Sequence, residues 1–169
     1  MCNAPQAVNP EVISWNWDII SQSGSNSADG CALFDTNNNG LANYALCVSW
    51  QGERVMQVGY PQLYSCNDSR SDRCAGSAPL TIQHGSACAV ELFNDDPFPA
   101  GDSYPFDTKA FCSINLADVG GAQNSTLIDV CSYPSSQPGS DPSDCVVISA
   151  NKGNLEVIKS VVPNDVSTN

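Results

Sequence analysis

Basic side chains and histidine are scarce in this chain. Its 169 residues include six Lys and Arg against 18 Asp and Glu, and a single histidine, for a formal net charge of −12 at pH 7. A chain this acidic is repelled by nucleic acid and by anionic membranes, so we expect neither as a partner. An excess of carboxylates instead favours the binding of divalent cations.

The sequence also lacks the patterns of a zinc protein and of a membrane protein. It has no Cys-x-x-Cys pair, and His84 has no second histidine to complete a zinc site. No apolar run approaches the roughly 20 residues that span a bilayer, so we expect no membrane insertion. The nine cysteines therefore indicate disulfides, and hence an extracellular or cell-surface location.

A short polar stretch has the spacing of a calcium loop. Asp35, Asn37 and Asn39 place side-chain oxygens at positions 1, 3 and 5, and Gly40 follows at position 6. Leu41 would contribute its backbone carbonyl. The pattern predicts a Ca²⁺ site, although Asn and Gly also favour an ordinary polar turn without metal.

The helical form of this motif requires a Glu at position 12, where this chain has Leu46. The residues that follow the loop alternate in strand fashion, so we predict a calcium-type loop that leads into a strand. Further carboxylate ligands for the ion would then come from other parts of the chain, and the candidates are Asp95, Asp96 and Asp18.

Short alternating segments separated by turn residues indicate an all-β chain. The predicted strands are 13–20, 44–50, 55–64, 80–83, 88–93, 111–116, 126–130, 146–148 and 155–162, and residues 21–30 are predicted to form a loop. This pattern favours an antiparallel β-sandwich of immunoglobulin-like or jelly-roll type, stapled by disulfides. We assign residues 1–153 to the sandwich domain and residues 154–169 to a C-terminal strand and tail.

Loop closure predicts two of the bridges, because two cysteine pairs bracket polar segments that have no apolar pattern to hold them. A third bridge is expected as well. The predicted bridges are Cys66–Cys74, Cys131–Cys145 and Cys88–Cys112. Cys2, Cys31 and Cys47 remain, and an odd count leaves one cysteine free or paired between chains.

A set of motifs resembles a known module. The chain contains NYALC at 43–47, LYSC at 63–66, NDDPF at 94–98, IDVCSYPS at 128–135 and SDPSDC at 140–145. Over roughly residues 15–148 it resembles the cysteine-containing β module of large secreted prokaryotic surface proteins, which sits beside tandem immunoglobulin-like repeats. The resemblance implies an extracellular β module with a structural or adhesive role, and it implies no reaction.

The C-terminal segment is apolar on both faces of a predicted strand. Leu155, Val157 and Val161 lie on one face, and Ile158 and Val162 lie on the other. A strand of this kind suits insertion between partners, so we predict that residues 154–163 are donated to another copy of the chain to form a homopolymer. Two alternatives remain open, in which the strand pairs within its own sheet or begins a further immunoglobulin-like domain.

These features favour a non-enzymatic structural subunit of a surface filament or layer. With His84 as the one histidine, and with Asp95 and Asp96 adjacent at the end of a predicted strand, the sequence shows no catalytic pattern. The alternative is a calcium-dependent adhesin or a module that binds carbohydrate. It would use the tryptophans Trp15, Trp17 and Trp50, although their spacing is typical of core residues.

Two triplets match the N-glycosylation sequon. They begin at Asn67 and Asn124. Glycosylation at either asparagine would suit an exposed extracellular chain.

Overall fold

The computed structural model describes residues 9–19, 27–51, 55–56, 58–92, 106–133, 138–142, 144–147 and 155–158. These residues form β-strands and one short 3₁₀ turn, Leu116–Val119. The strands are β1 Glu11–Ile19, β2 Ser27–Asp35, β3 Tyr44–Gln51, β4 Val55–Met56, β5 Gln62–Ser65, β6 Ala78–Leu80, β7 Ala87–Leu92, β8 Phe106–Ile114, β9 Thr126–Tyr133, β10 Asp144–Val147 and β11 Leu155–Ile158.

The strands form two sheets. The small sheet has the order β11-β1-β8-β7, and the large sheet has the order β10-β9-β2-β3-β5-β6, with β4 also paired to β3. Every pair is antiparallel except β11 with β1, which is parallel. The predicted disulfide-stapled β-sandwich is confirmed. Within the described part of the chain, no helix is long and apolar enough to cross a membrane.

The main core lies where alternating side chains of the two sheets meet. The small sheet supplies Ile13, Ala110, Cys112 and Ile114, and the large sheet supplies Ala32, Phe34, Leu46, Val48, Leu63 and Val130. Leu116 and Val119 of the 3₁₀ turn complete this cluster. Burial of each large apolar side chain contributes about 1.5–3 kcal/mol, so this layer supplies most of the driving force for folding.

The sequence-based prediction missed β2. A loop over residues 21–30 is wrong from Ser27 onward, where β2 begins. The strand is covered on both faces, since Ala32 and Phe34 join the main core while Cys31 and Leu33 join a second buried cluster. Burial on both faces removes the apolar–polar alternation by which a half-buried strand is recognised.

The outer face of the large sheet is also buried. Its cluster comprises Cys31, Leu33, Ala42, Ala45, Cys47, Cys74, Cys131 and Tyr133. Two irregular segments cover it, residues 66–75 and 138–142. Cys74 donates its backbone N–H to the Pro138 carbonyl at 2.8 Å, and the Tyr133 hydroxyl donates to the Asp72 carbonyl at 3.1 Å. These segments thus form a third layer over the sheet.

Four cysteines cross the outer face of the large sheet in one row. The backbone register places Cys47 opposite Cys31, Cys31 opposite Cys131, and Cys131 opposite Cys145. The Cα–Cα distances are 4.0 Å for Cys31–Cys47 and 4.1 Å for Cys131–Cys145. These short distances are typical of the pairs that exchange no backbone hydrogen bonds, in which side chains approach closely. Two disulfides therefore join β3 to β2 and β9 to β10.

The three bridges that the sequence predicts are present in the structure. They are Cys66–Cys74, Cys88–Cys112 and Cys131–Cys145, and the fourth is Cys31–Cys47. The Cys88–Cys112 bridge joins directly opposed residues of β7 and β8. The fourth bridge was not predicted because its identification requires β2.

Two predicted strands differ from the structure. The return strand over 55–64 is divided into β4 and β5, with a turn at Val58 and Gly59 and with Pro61 before β5. The strand over 80–83 ends at Leu80. The residues after it form an irregular strap, because the carboxylate of Asp118 accepts hydrogen bonds from the backbone of Gln83, His84 and Ser86 and from the Ser86 hydroxyl.

The C-terminal strand pairs within its own chain. Leu155 lies opposite Ile13, and Ile158 lies opposite Asn16, in a parallel pairing at the edge of the small sheet. This is one of the arrangements that the sequence leaves open. Val161 and Val162 lie outside the described residues.

We predict that non-reducing peptide mapping will recover the four bridges named above and no others within the chain. The eight paired cysteines leave Cys2, which should be alkylated without reduction or be found in a bridge between two chains. The register also places Cys31 beside Cys131, so the informative alternative is a peptide pair that joins these two residues. Its recovery as the main product would contradict the row of bridges.

Candidate metal-binding loop

The loop between β2 and β3 is closed by Asn43. This residue donates its backbone N–H to the Phe34 carbonyl at 2.8 Å. Its side-chain Oδ1 accepts from the Thr36 backbone N–H at 2.7 Å and from the Thr36 hydroxyl at 3.0 Å. Gly40 has φ 80°, which is the left-handed region that glycine adopts without strain. The sharp turn expected at position 6 is therefore present.

The carboxylate of Asp35 lies inside this loop. Asp35 is 3% exposed, and its Oδ1 accepts from the backbone N–H groups of Asn37 and Asn38 at 2.8 and 2.9 Å. Its Oδ2 accepts from the Gly40 backbone N–H at 2.7 Å. Three backbone donors thus stabilise the charged carboxylate and fix the path of the loop around it.

The amides of Asn37 and Asn39 continue the same pattern. Asn37 Oδ1 accepts from the Asn39 backbone N–H at 3.2 Å, and Asn39 Oδ1 accepts from the Leu41 backbone N–H at 2.8 Å. Side-chain oxygens that accept from an amide two residues ahead form successive Asx turns. The three predicted oxygen-bearing side chains therefore organise one loop, and their hydrogen bonds explain its alternating spacing.

Asp68 approaches this loop from another part of the chain. Its carboxylate accepts from Asn37 Nδ2 at 2.9 Å and from Asn39 Nδ2 at 3.0 Å. The hydrogen bonds from these two amides, that from Asn39 being the stronger, lower the pKa of Asp68 below its usual value. Asp68 is a candidate residue that the sequence analysis missed, because it lies 31 positions after Asn37 and belongs to no motif with it.

The disulfide loop Cys66–Cys74 holds Asp68 in place. Ala42 donates its backbone N–H to the Arg70 carbonyl at 2.8 Å, and Cys66 donates its backbone N–H to the Asn43 carbonyl at 2.8 Å. The two loops are therefore docked through their backbones at both ends. The Cys66–Cys74 bridge closes the second loop covalently, so the carboxylate of Asp68 stays against the loop between β2 and β3.

The carboxylates proposed to support the loop are placed differently. Asp18 lies in β1 opposite Asp107 of β8, whereas Thr36 lies beside Gly120, just beyond the other end of β8 at Ile114. Seven residues of extended strand separate Asp107 from Ile114, which is about 23 Å. The backbone of Asp18 therefore lies toward the opposite end of β8 from Ile114, and its part in a site at Asp35 stays a prediction. Asp95 and Asp96 lie outside the described residues.

The donor set around the loop has the chemistry that Ca²⁺ prefers. It consists of the Asp35 and Asp68 carboxylates, the amide oxygens of Asn37 and Asn39, and the backbone carbonyl of Leu41, all of which are hard oxygen donors. Among the described residues, no three Asp, Glu, His or Cys side chains lie close enough together to form a metal cluster. The loop thus offers two carboxylates. The amides of Asn37 and Asn39 turn their N–H groups toward Asp68, so they would have to rotate before their oxygens and that carboxylate could share a cation.

Both glycosylation sequons lie at the surface. Asn67 and Asn124 are exposed. The Ser69 hydroxyl donates to Asn67 Oδ1 at 2.5 Å. Ser125 instead directs its hydroxyl inward, to the Val119 carbonyl at 2.5 Å and the Gly121 carbonyl at 2.9 Å. Glycosylation of either asparagine stays a prediction.

The side chains proposed for carbohydrate binding are not described by the structure. The backbones of Trp15 and Trp17 lie in β1, and that of Trp50 lies in β3. Their side chains fall outside the described part of the chain, so the carbohydrate-binding alternative stays untested.

Comparison of the chain with protein-family models, with curated proteins and with solved structures found no match in any of the three.

Asp129 is a buried carboxylate on the outer face of the large sheet. It is 5% exposed and lies opposite Leu33 of β2 and Val147 of β10. Its Oδ1 is buried without a hydrogen-bond partner among the residues that the structure describes. Burial, together with the nearby charge of Asp72, raises the pKa of Asp129 to about 6. The charged form is therefore unfavourable in the folded state.

We predict that Asp129→Asn will increase the free energy of unfolding at pH 7, by roughly 3 kcal/mol from the size of the pKa shift. In the native chain the folded state takes up a proton near pH 6 and the unfolded state near pH 4. Asp129 therefore destabilises the fold least at low pH, and most above about pH 6. Urea unfolding of both proteins between pH 4 and 7 measures the difference.

Asp118→Asn is the control with the opposite sign. The hydrogen bonds from Ser86, Gln83 and His84 outweigh desolvation and lower the pKa of Asp118. This carboxylate therefore stabilises the fold above its unfolded pKa, and the contribution is lost as pH falls through its folded pKa. Asp118→Asn should reduce stability at pH 7. If Asp129→Asn also reduced it at pH 7, the cost assigned to the buried charge would be wrong.

Proposed function

We propose that this protein is a non-enzymatic extracellular structural subunit that assembles with copies of itself into a surface filament or layer by β-strand donation, stabilised by calcium. One observation carries the proposal: the C-terminal strand β11 lies at the edge of the small sheet and pairs in parallel with β1. A strand that occupies a sheet edge can be replaced there by the same strand of another copy.

The rest of the molecule supports an extracellular structural role. Four disulfides within the described residues suit an oxidising compartment and would preserve the body of the domain if its last strand moved. Strand exchange in which each copy passes its strand to the next, without closing a ring, generates a filament. The proposal assigns no reaction to the chain.

Calcium binding would support assembly by reducing the electrostatic repulsion between subunits. Subunits of net charge −12 repel one another when they assemble. The loop built from Asp35, Asn37, Asn39, Leu41 and Asp68 would hold one cation with hard oxygen ligands. Bound Ca²⁺ would reduce the negative charge of each subunit and would keep the two loops together.

Full-length variants test the assembly. Successive backbone amides of a strand point to opposite sides, so a double change to Glu156→Pro and Val157→Pro removes at least one N–H that faces β1. We expect the native chain to form polymers in light scattering and electron microscopy with Ca²⁺ present, and the double proline variant to remain monomeric.

The matched control is Glu156→Thr with Val157→Thr, which keeps both amides and strand propensity and should still assemble. The proposal fails if the native chain stays monomeric under all these conditions. It also fails if the proline variant assembles as well as the threonine variant does.

The calcium proposal predicts a change in thermal stability. A ligand that binds only the folded state stabilises it by about 1.4 kcal/mol at a concentration ten times its Kd. The melting temperature of the native chain should therefore rise with Ca²⁺ and fall with a chelator. The increment should disappear in Asp68→Asn, which removes one of the two carboxylates.

Asp141→Asn provides the matched control for this experiment. Asp141 is an exposed carboxylate that pairs with the disulfide loop through Arg73, and within the described residues no hydrogen bond joins it to Asp35, Asn37 or Asn39. This variant should keep the full calcium increment. Equal increments in Asp68→Asn and in the native chain, or no increment in the native chain, would leave the loop as a polar turn.

A further inference from the structure

We propose that the edge of β1 is the acceptor for the C-terminal strand of a second copy of this chain, and that the pairing between chains keeps the register seen within one chain, with Leu155 opposite Ile13. This inference rests on the proposed function and deepens it, because it names the accepting edge and the register. The supporting observations concern the four strands at the edges of the two sheets.

Three of these edge strands are unsuited to exchange. Strand β7 is joined to β8 by Cys88–Cys112, and strand β10 is joined to β9 by Cys131–Cys145. Strand β6 is three residues long and places Pro79, which has no backbone N–H, opposite Tyr64. Each of these strands is therefore either fixed covalently in its sheet or poor at pairing.

Strand β11 differs from these three. Its sequence Leu155–Ile158 contains neither cysteine nor proline, so no disulfide can fix it to β1. Its pairing is also parallel, which is slightly less stable per residue than antiparallel pairing. Of these four strands, β11 is thus the one that carries neither a disulfide nor a proline.

The edge of β1 is longer than the strand that occupies it. On one side β1 pairs with β8 over all nine residues from Glu11 to Ile19. On the other side, within the described residues, it pairs with β11 over four, Ile13 to Asn16. The described part of β11 therefore covers four of the nine positions along this edge.

The sequence after β11 matches the length of that edge. If the observed register continued residue for residue, Val161 would lie opposite Ile19, where β1 ends. Pro163 follows two residues later and would terminate the incoming strand. An incoming segment Leu155–Val161 would therefore extend the pairing along β1 from Ile13 to its last residue.

The connection to the body permits the exchange. Strand β10 ends at Val147 in the large sheet, and β11 begins at Leu155 in the small sheet. The residues between them, 148–154, can extend over about 25 Å. The strand can therefore reach a neighbouring molecule, where it would make the same backbone pairs that it makes with β1 of its own chain. Since both states share these pairs, protein concentration decides between them.

Mixed cysteine variants test the acceptor and its register. Ser14 and Glu156 are register partners, so one chain carries Ser14→Cys and the other carries Glu156→Cys, both with Cys2→Ser. The two proteins are mixed, assembled with Ca²⁺ and treated with a short bismaleimide. We expect covalent mixed dimers as the main product, because the two thiols can meet only between chains. Replacement of Glu156→Cys by Ile158→Cys shifts the register by two residues and should remove most of this product.

A variant that carries both changes in one chain gives a second readout. Crosslinking of Ser14→Cys to Glu156→Cys in the dilute monomer would lock β11 to its own edge, and the locked protein should lose polymer formation that each single variant retains. If polymers form but no mixed dimers appear, or if the locked monomer still assembles, β1 is not the acceptor. If the native chain never polymerises, the proposed function itself fails, which is a different result.

Discussion

Burial of β2 on both of its faces is the constraint on which the rest of this fold depends. One face meets the small sheet in the main core, and the other contributes Cys31 and Leu33 to the outer cluster. A sheet covered on both sides requires a second covering layer. Here that layer consists of irregular segments, which bury little apolar surface of their own. Such segments remain in place only if other interactions replace the missing hydrophobic energy.

Disulfides and hydrogen bonds to the backbone provide those interactions. The bridge Cys66–Cys74 closes one covering segment, and Cys131–Cys145 joins β9 to β10 beside the other. The same construction determines the candidate metal loop, since the segment that covers the outer face also brings Asp68 to Asn37 and Asn39. The contact between Asp68 and the candidate metal loop therefore depends on the bonds that hold the third layer on the sheet.

The acidic side chains fall into two physical classes. Asp35 and Asp118 direct their carboxylates toward backbone N–H groups, and these bonds organise the loops around them. Asp129 is as deeply buried, but one of its oxygens has no partner within the described residues. The charged form of Asp118 stabilises the fold, whereas the charged form of Asp129 destabilises it. A strongly acidic chain can thus use some of its charge for structure while it retains charge that opposes compaction.

The sequence predicts those features that depend on local spacing. Alternation identifies half-buried strands such as β3, and short polar segments between cysteines identify Cys66–Cys74 and Cys131–Cys145. Features that depend on distant contacts were missed. Strand β2 has apolar residues on both faces and so resembles no single pattern, and without it Cys31–Cys47 could not be assigned. Asp68 contacts the loop only because two segments that are distant in sequence pack together, so no sequence motif identifies it as a candidate ligand.

The positions of the disulfides and of Pro79 also affect the edge strands of the two sheets. An exposed strand edge is a template for association, so a protein must block the edges that it does not use. In this chain two of the three cross-strand disulfides lie at β7 and β10, which are edge strands, and Pro79 lies in a third. The disulfides hold β7 and β10 in their sheets, and Pro79 weakens the pairing of β6. Strand β11, beside β1, carries neither a disulfide nor a proline. Under the proposed function, stability and directional assembly would then follow from one placement of cysteines, without a separate interface.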